Sequence, residues 1–216
     1  MCSAKVQERR RVELEKAIQW AYENGLQPVM VTLTFPHSGW QTIKELLDAQ
    51  AVALELLRKG SPWDRFKESI DYLGLIRALE VKFGLHGWHP HTHELWFVSR
   101  DADAEEMKKV ILARWERACR KAGLLDAGKL KAFREHAVDV KGWCSASDYL
   151  AKQDDARHWG IDREMAKANN KTDRDGKKGV HPFGLLAMAA DGDEKAGERF
   201  VEYSMAIRGK AQLFWS

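Results

Sequence analysis

His91 and His93 are one residue apart in the run Trp88-His89-Pro90-His91-Thr92-His93-Glu94-Leu95-Trp96-Phe97-Val98. On a strand, side chains at i and i+2 share a face and stand about 6.6 Å apart along the axis. Both imidazoles then project together, with Leu95 and Phe97 continuing that face. Two imidazoles at this spacing can bind one divalent ion, and Glu80 can add a hard oxygen from the neighbouring strand across a hairpin. Two His and one carboxylate, with coordination positions left open, make a catalytic set rather than a structural one. Mixed nitrogen and oxygen ligation suits Mn²⁺, Mg²⁺, Co²⁺ or Zn²⁺ and does not choose among them. An isolated His-x-His is more often a pair of satisfied polar residues. Here four of the eight histidines fall within 86–93, beside Glu80, and that concentration favours a metal centre. His86 and His89 are expected in the turn, as contacts to solvent or DNA rather than as ligands.

A second feature is Ser147-Asp148-Tyr149-Leu150-Ala151-Lys152-Gln153. On a helix, Tyr149 and Lys152 share a face. A phenol titrates near pH 10, so as a nucleophile it needs a nearby cation or metal to favour phenolate. Lys152 can supply that charge or hold a scissile phosphate as a point charge. Tyr-x-x-Lys alone is weak, because a tyrosine on an amphipathic helix is usually core; it gains value only beside the histidines.

The elements that must position these groups are legible in outline. Residues 4–25 read as an amphipathic helix ending near Gly25, and Val29–Phe35 as a buried strand stopped by Pro36. Residues 41–58 carry a helical apolar stripe closed by Gly60. Ser61-Pro62 looks like an N-cap and first-turn proline opening a short helix. Two strand patterns follow, Asp71–Phe83 and Thr92–Val98, joined by a segment with two glycines and a proline, which predicts an antiparallel hairpin. Residues 103–122 form another amphipathic helix, 132–140 a strand pattern, and 145–152 a short helix. Residues 153–180 are polar and read as an exposed connector. Helices are expected at about 182–190 and 193–207. The apolar end, Leu213-Phe214-Trp215-Ser216, is expected to pack back or to continue in a longer parent protein. Strands and helices do not alternate regularly, so the expected class is α+β with an antiparallel sheet rather than a doubly wound one.

Composition narrows the function classes without naming one. The chain has 216 residues, 44% hydrophobic and 31% charged, an ordinary globular balance suited to one domain or one domain with an appendage. There is no run of about 18 apolar residues to span a membrane, and the charged Met1–Arg11 does not read as a signal peptide. Thirty-five basic against 32 acidic residues gives +3, which permits nucleic-acid binding without demanding it. Cys2, Cys119 and Cys144 show no paired spacing and fit a reducing cytoplasm.

Several motifs, in order, resemble the plasmid rolling-circle replication initiators of the HUH endonuclease superfamily. They are Thr32-Leu33-Thr34-Phe35-Pro36, Ala78-Leu79-Glu80-Val81, Gly87-Trp88-His89-Pro90-His91-Thr92-His93 and Tyr149-Leu150-Ala151-Lys152. The ending is similar too, through His181-Pro182-Phe183-Gly184-Leu185-Leu186, Glu202-Tyr203, Gly209-Lys210 and Leu213-Phe214-Trp215-Ser216. The resemblance implies an antiparallel sheet of about five strands flanked by helices, with a metal on its surface. It divides the chain into a nicking domain over 1–160 and a basic connector with a helical C-terminal extension over 161–216. His91, His93 and Glu80 would bind Mn²⁺ or Mg²⁺, Tyr149 would be the nucleophile and Lys152 its helper. The product would be a 5′-phosphotyrosine link and a free 3′-OH on single-stranded or hairpin origin DNA, with a host helicase and polymerase as further partners. Arg157, Trp159, Lys171, Lys177 and Lys178 are candidate DNA contacts.

Two departures stand out. Thr92 occupies a position where the family usually has a bulky apolar residue. Ser145 stands where some members carry a glutamate used to terminate replication. Only one tyrosine lies on the 145–152 segment, Tyr22, Tyr72 and Tyr203 being far away in sequence, which points to a single-tyrosine mechanism. Rival readings are a mobilisation relaxase, a single-tyrosine transposase, or a DNA-binding regulator without nuclease activity.

Overall fold

In the computed structural model, residues 3–142, 179–210 and 213–215 are described. The first amphipathic stretch forms α1 (Ser3–Glu23), and Gly25, at φ 77, turns the chain out of it. Strand β1 (Leu26–Leu33) follows, then α2 (Ile43–Leu57) and α3 (Ser61–Ser69). A long hairpin comes next, β2 (Gly74–Gly84) and β3 (Gly87–Ser99). Helix α4 (Ala104–Lys121), a 3₁₀ turn (Ala127–Lys129), α5 (Leu130–His136) and β4 (Val138–Lys141) complete the first stretch. After the undescribed segment come α6 (Pro182–Ala190), α7 (Glu194–Ile207) and β5 (Leu213–Trp215).

The strands form one antiparallel sheet in the order β4-β1-β3-β2-β5. The class is α+β. The chain's last apolar segment packs back through its backbone, with Leu213 opposite Ala78 and Trp215 opposite Ile76.

The alternation along each strand splits the core in two. On one face, Val29, Val31, Leu33, Leu75, Val81, Trp88, Trp96 and Val98 pack with the apolar stripes of α2, α4, α6 and α7. Trp88, Trp96 and Trp115 are fully buried there. On the other face, α1 lays Leu14, Ile18 and Ala21 over Met30, Ile76, Ala78, Leu95 and Phe97. The apolar residues of that face stop at Ala78 and Leu95, and polar residues occupy the hairpin end of the strands beyond them.

Several boundaries differ from the sequence reading, each for a local reason. β1 starts at Leu26, ahead of Pro28, because β4 pairs only with Met30–Leu33 and Pro28 lies where β1 has a single neighbour. β3 starts at Gly87, so His89 is a strand residue opposite Lys82 and not part of the turn. Pro90 falls beyond the last β1 pair, Leu33 with Thr92, where a missing N–H costs no ladder bond on that side. The turn is only Leu85-His86, between paired Gly84 and Gly87. Gly87 has φ 84, and a Cβ there would stand 2.9 Å from Gly39 Cα.

β2 begins at Gly74 rather than Asp71, which sits at φ 45 in the left-handed region. Helix α3 is capped by Gly60 and takes Ser61 as its first residue, so Ser61 is not the N-cap. The 132–140 pattern divides: Phe133 is a buried residue of α5 and only Val138 onward is strand. Phe133 and Ala137 are four apart, a helical spacing, and Asp126 caps the 3₁₀ turn that leads into α5 by accepting from the Lys129 N–H. The expected helix at 145–152 and the boundary at 160/161 lie outside the described residues.

Candidate metal centre

The site is built by register. Glu80 on β2 is the direct cross-strand partner of His91 on β3, which puts both on one face with Cβ atoms about 5 Å apart. His93 lies two residues along on that face, opposite Ala78 on β2 and Thr32 on β1. The side chains close on a single oxygen: Glu80 Oε2 is 2.8 Å from His91 Nε2 and 3.0 Å from His93 Nε2. The donor atoms of these three residues all lie within 4.8 Å of one another, a group that could hold a metal ion.

Burial makes the arrangement consequential. Glu80 is 6% exposed and His91 9%. Burial alone pushes the Glu80 carboxyl up, but contacts with His181, His91 and His93 outweigh it and hold the group well below the usual carboxylate range. A buried carboxylate kept ionised and faced by two imidazoles is a suitable donor set for a divalent ion, which would take the place of the protons the rings share with it. The buried Nδ1 of His91 has no hydrogen-bond partner.

A further shell comes from β1 and its continuation. Thr32 Oγ1 is 3.1 Å from His93 Nδ1, and Thr34 Oγ1 is 2.8 Å from His89 Nε2. The contact with Thr32 fixes the orientation of the His93 ring; with a metal on Nε2, the Nδ1–H would donate to Thr32. Thr34 is itself pinned, its N–H donating to Ala137 O at 2.9 Å and its carbonyl accepting from Trp115 Nε1 at 2.7 Å.

The imidazoles form a row. His37 stacks on His89 at 4.6 Å between ring centroids, His89 is 5.1 Å from His91, and His91 is 4.9 Å from His93. Burial and the neighbouring His91 push His89 down to about 3, so it is neutral. The ring is held by Thr34 and stacked on His37, beside the centre. Its place on β3 opposite Lys82 corrects the expected turn position.

Of the residues singled out from sequence, Glu80, His91 and His93 come together. Tyr149, Lys152, Arg157, Trp159, Lys171, Lys177 and Lys178 lie outside the described residues. Sequence reasoning missed Thr32, Thr34, Lys82 and His181 as neighbours of the centre. Lys82 Nζ and His181 Nε2 each stand 3.1 Å from Glu80 Oε1. Thr32 and Lys82 carry a usable signal, since register places Thr32 beside His93 and the strand period puts Lys82 on the face of Glu80. The approach of His181, a hundred residues away, has no signal in spacing.

Two curated proteins resemble the chain. "Protein rep" of Streptomyces lividans is 27% identical over 277 aligned positions, which cover 100% of this chain and 60% of that protein. The chain is thus similar to a Rep protein along its whole length. A "Neomycin resistance protein" of Streptomyces cyanogenus is 27% identical over 158 positions, covering 57% of this chain and 36% of that protein. The chain therefore spans no more than about three fifths of the relatives it matches. The first likeness agrees with the resemblance to plasmid replication initiators read from the motifs. No family model and no solved structure matches, so the tie to the HUH superfamily rests on the motifs.

Proposed function

We propose that this chain nicks single-stranded origin DNA to start rolling-circle replication of a plasmid, using a divalent ion and a tyrosine nucleophile. The observation that carries the reading is the convergence of His91 Nε2 and His93 Nε2 on Glu80 Oε2 at the hairpin end of the sheet. The whole-length likeness to a Rep protein supports replication over a relaxase or transposase role.

Glu80, His91 and His93 would hold the ion, Mn²⁺ or Mg²⁺ by the resemblance. When bound it would act as a Lewis acid on one phosphodiester. The chain's own residues carry the remaining roles. Thr32 keeps the His93 ring aimed at the centre, and the β2–β3 register keeps Glu80 opposite His91. Tyr149 attacks phosphorus through Oη, the bond to the 3′ oxygen breaks, and a 5′-phosphotyrosine and a 3′-OH result. Lys152 favours the phenolate or steadies the phosphate. Arg157, Lys171, Lys177 and Lys178 follow the phosphate backbone, with Trp159 available to stack a base.

The test is cleavage of labelled single-stranded oligonucleotides, from a plasmid origin or a random pool, with Mn²⁺. Wild type is expected to cut, and to stop cutting with chelator or in Glu80→Ala at unchanged circular dichroism. Undiminished cutting by Glu80→Ala would remove the centre from the reaction. DNA and metal binding without any cut would favour the regulator.

A further inference from the structure

We propose that His181 is a positioning residue of the metal centre, holding the second oxygen of Glu80, so that the centre spans the sheet and the segment opening α6. The proposal rests on the metal reading above and assigns a role to a motif, His181-Pro182-Phe183-Gly184, that the reaction itself leaves unused.

The two oxygens of Glu80 face different groups. Oε2 meets His91 and His93, whereas Oε1 meets His181 Nε2 and Lys82 Nζ, both at 3.1 Å. His181 is 1% exposed, and neither ring nitrogen has a hydrogen-bond partner, Nε2 meeting Glu80 Oε1 at ion-pair distance. An imidazole buried this deeply without compensation is costly, and the Glu80 carboxylate is the charged group its Nε2 faces. His181 stays outside the three residues whose donor atoms lie mutually within 4.8 Å. It therefore acts through the carboxylate: standing against Oε1, it leaves Oε2 turned toward His91 and His93.

The backbone delivers His181 to that place. Val180 and Phe83 exchange hydrogen bonds, N–H to O, at 2.7 and 2.8 Å, stapling the segment to the end of β2 three residues beyond Glu80. Gly179, at φ 78, carries the chain past Gly84, where an added Cβ would stand 3.4 Å from Gly179 Cα. Pro182 then opens α6, and the His181 carbonyl accepts from the Gly184 and Leu185 N–H groups at 2.8 and 3.0 Å. Gly184 is required there, since a Cβ would stand 2.7 Å from Val180 Cγ1. His181 is thus fixed at both its own ends, as a group that orients a ligand has to be.

The test uses the full chain, stripped of metal, titrated with Mn²⁺ by calorimetry and with Co²⁺ by visible absorption. His181→Ala is expected to bind about 10–100-fold more weakly, the usual cost of losing a group that orients a ligand. Its Co²⁺ spectrum at saturation should match wild type, because the ligand set is intact. His181→Gln, whose amide still reaches Oε1, should recover most of the affinity. If His181→Ala does not fold, the comparison of Gln with His181→Leu carries the same contrast. Equal affinity in all variants would overturn the proposal. A saturated Co²⁺ spectrum that loses a nitrogen donor would overturn it too, by making His181 a ligand. Wild type that binds neither metal would sink the underlying metal reading instead.

Discussion

Thr92 lies between the two histidines of the centre yet points to the opposite face of the sheet, where it is 2% exposed and its Oγ1 has no hydrogen-bond partner. With Leu47, Gln50 and Leu54 of α2 it lines a cavity of about 760 Å³. Replacing the hydroxyl by a methyl group removes an unsatisfied polar atom at nearly constant volume. Thr92→Val is expected to stabilise the fold by about 1 kcal/mol, read from urea unfolding. Metal affinity should not change, since β3 separates the two faces. The pairing of residue type with face was legible in the sequence: strand alternation alone placed His91 and His93 together and Thr92 toward a flanking helix. The approach of His181 to Glu80 was not, because it comes through a return of the chain that leaves no local trace.

At the scale of elements, Gly25 ends α1 as expected, whereas Ser61, expected as an N-cap, is the first residue of α3 behind Gly60. Thr42 and Glu45 form a capping box at the start of α2: the Thr42 Oγ1 accepts from the Glu45 N–H at 3.2 Å, and Glu45 Oε2 accepts from the Thr42 N–H at 2.9 Å. Thr42→Ala is expected to cost about 1 kcal/mol in urea unfolding, with metal binding retained. Where tertiary context decides, the pattern misled. His89 and Pro90 look like turn residues, but they belong to β3 because that end of the strand has lost its β1 neighbour. Phe133 looks like strand by its β propensity, yet the capped 3₁₀ turn before it starts a helix whose Phe133 is buried in the main core. The hairpin itself was plain, because Gly84 and Gly87 bracket a turn that no larger residue fits at Gly87.

For the whole molecule, the sheet joins stretches of the chain that are far apart. α6 and α7 contribute Leu185, Ala196, Tyr203 and Ala206 to the same core as β1 and β3, and Tyr203 stacks on Trp88 at 6.2 Å. The end of the chain pairs with β2 as β5. Among the described residues, no helix is long and apolar enough to cross a membrane. The proposed reaction needs both the centre at the hairpin end of the sheet and Tyr149, in the segment between β4 and α6. The most direct measurement incubates wild type and Tyr149→Phe with single-stranded origin DNA and Mn²⁺ and resolves the products on a denaturing gel. The expected result is a covalent protein–DNA adduct in wild type that vanishes in Tyr149→Phe and with chelator. A metal-dependent cut with no adduct, or an adduct that survives in Tyr149→Phe, would contradict it.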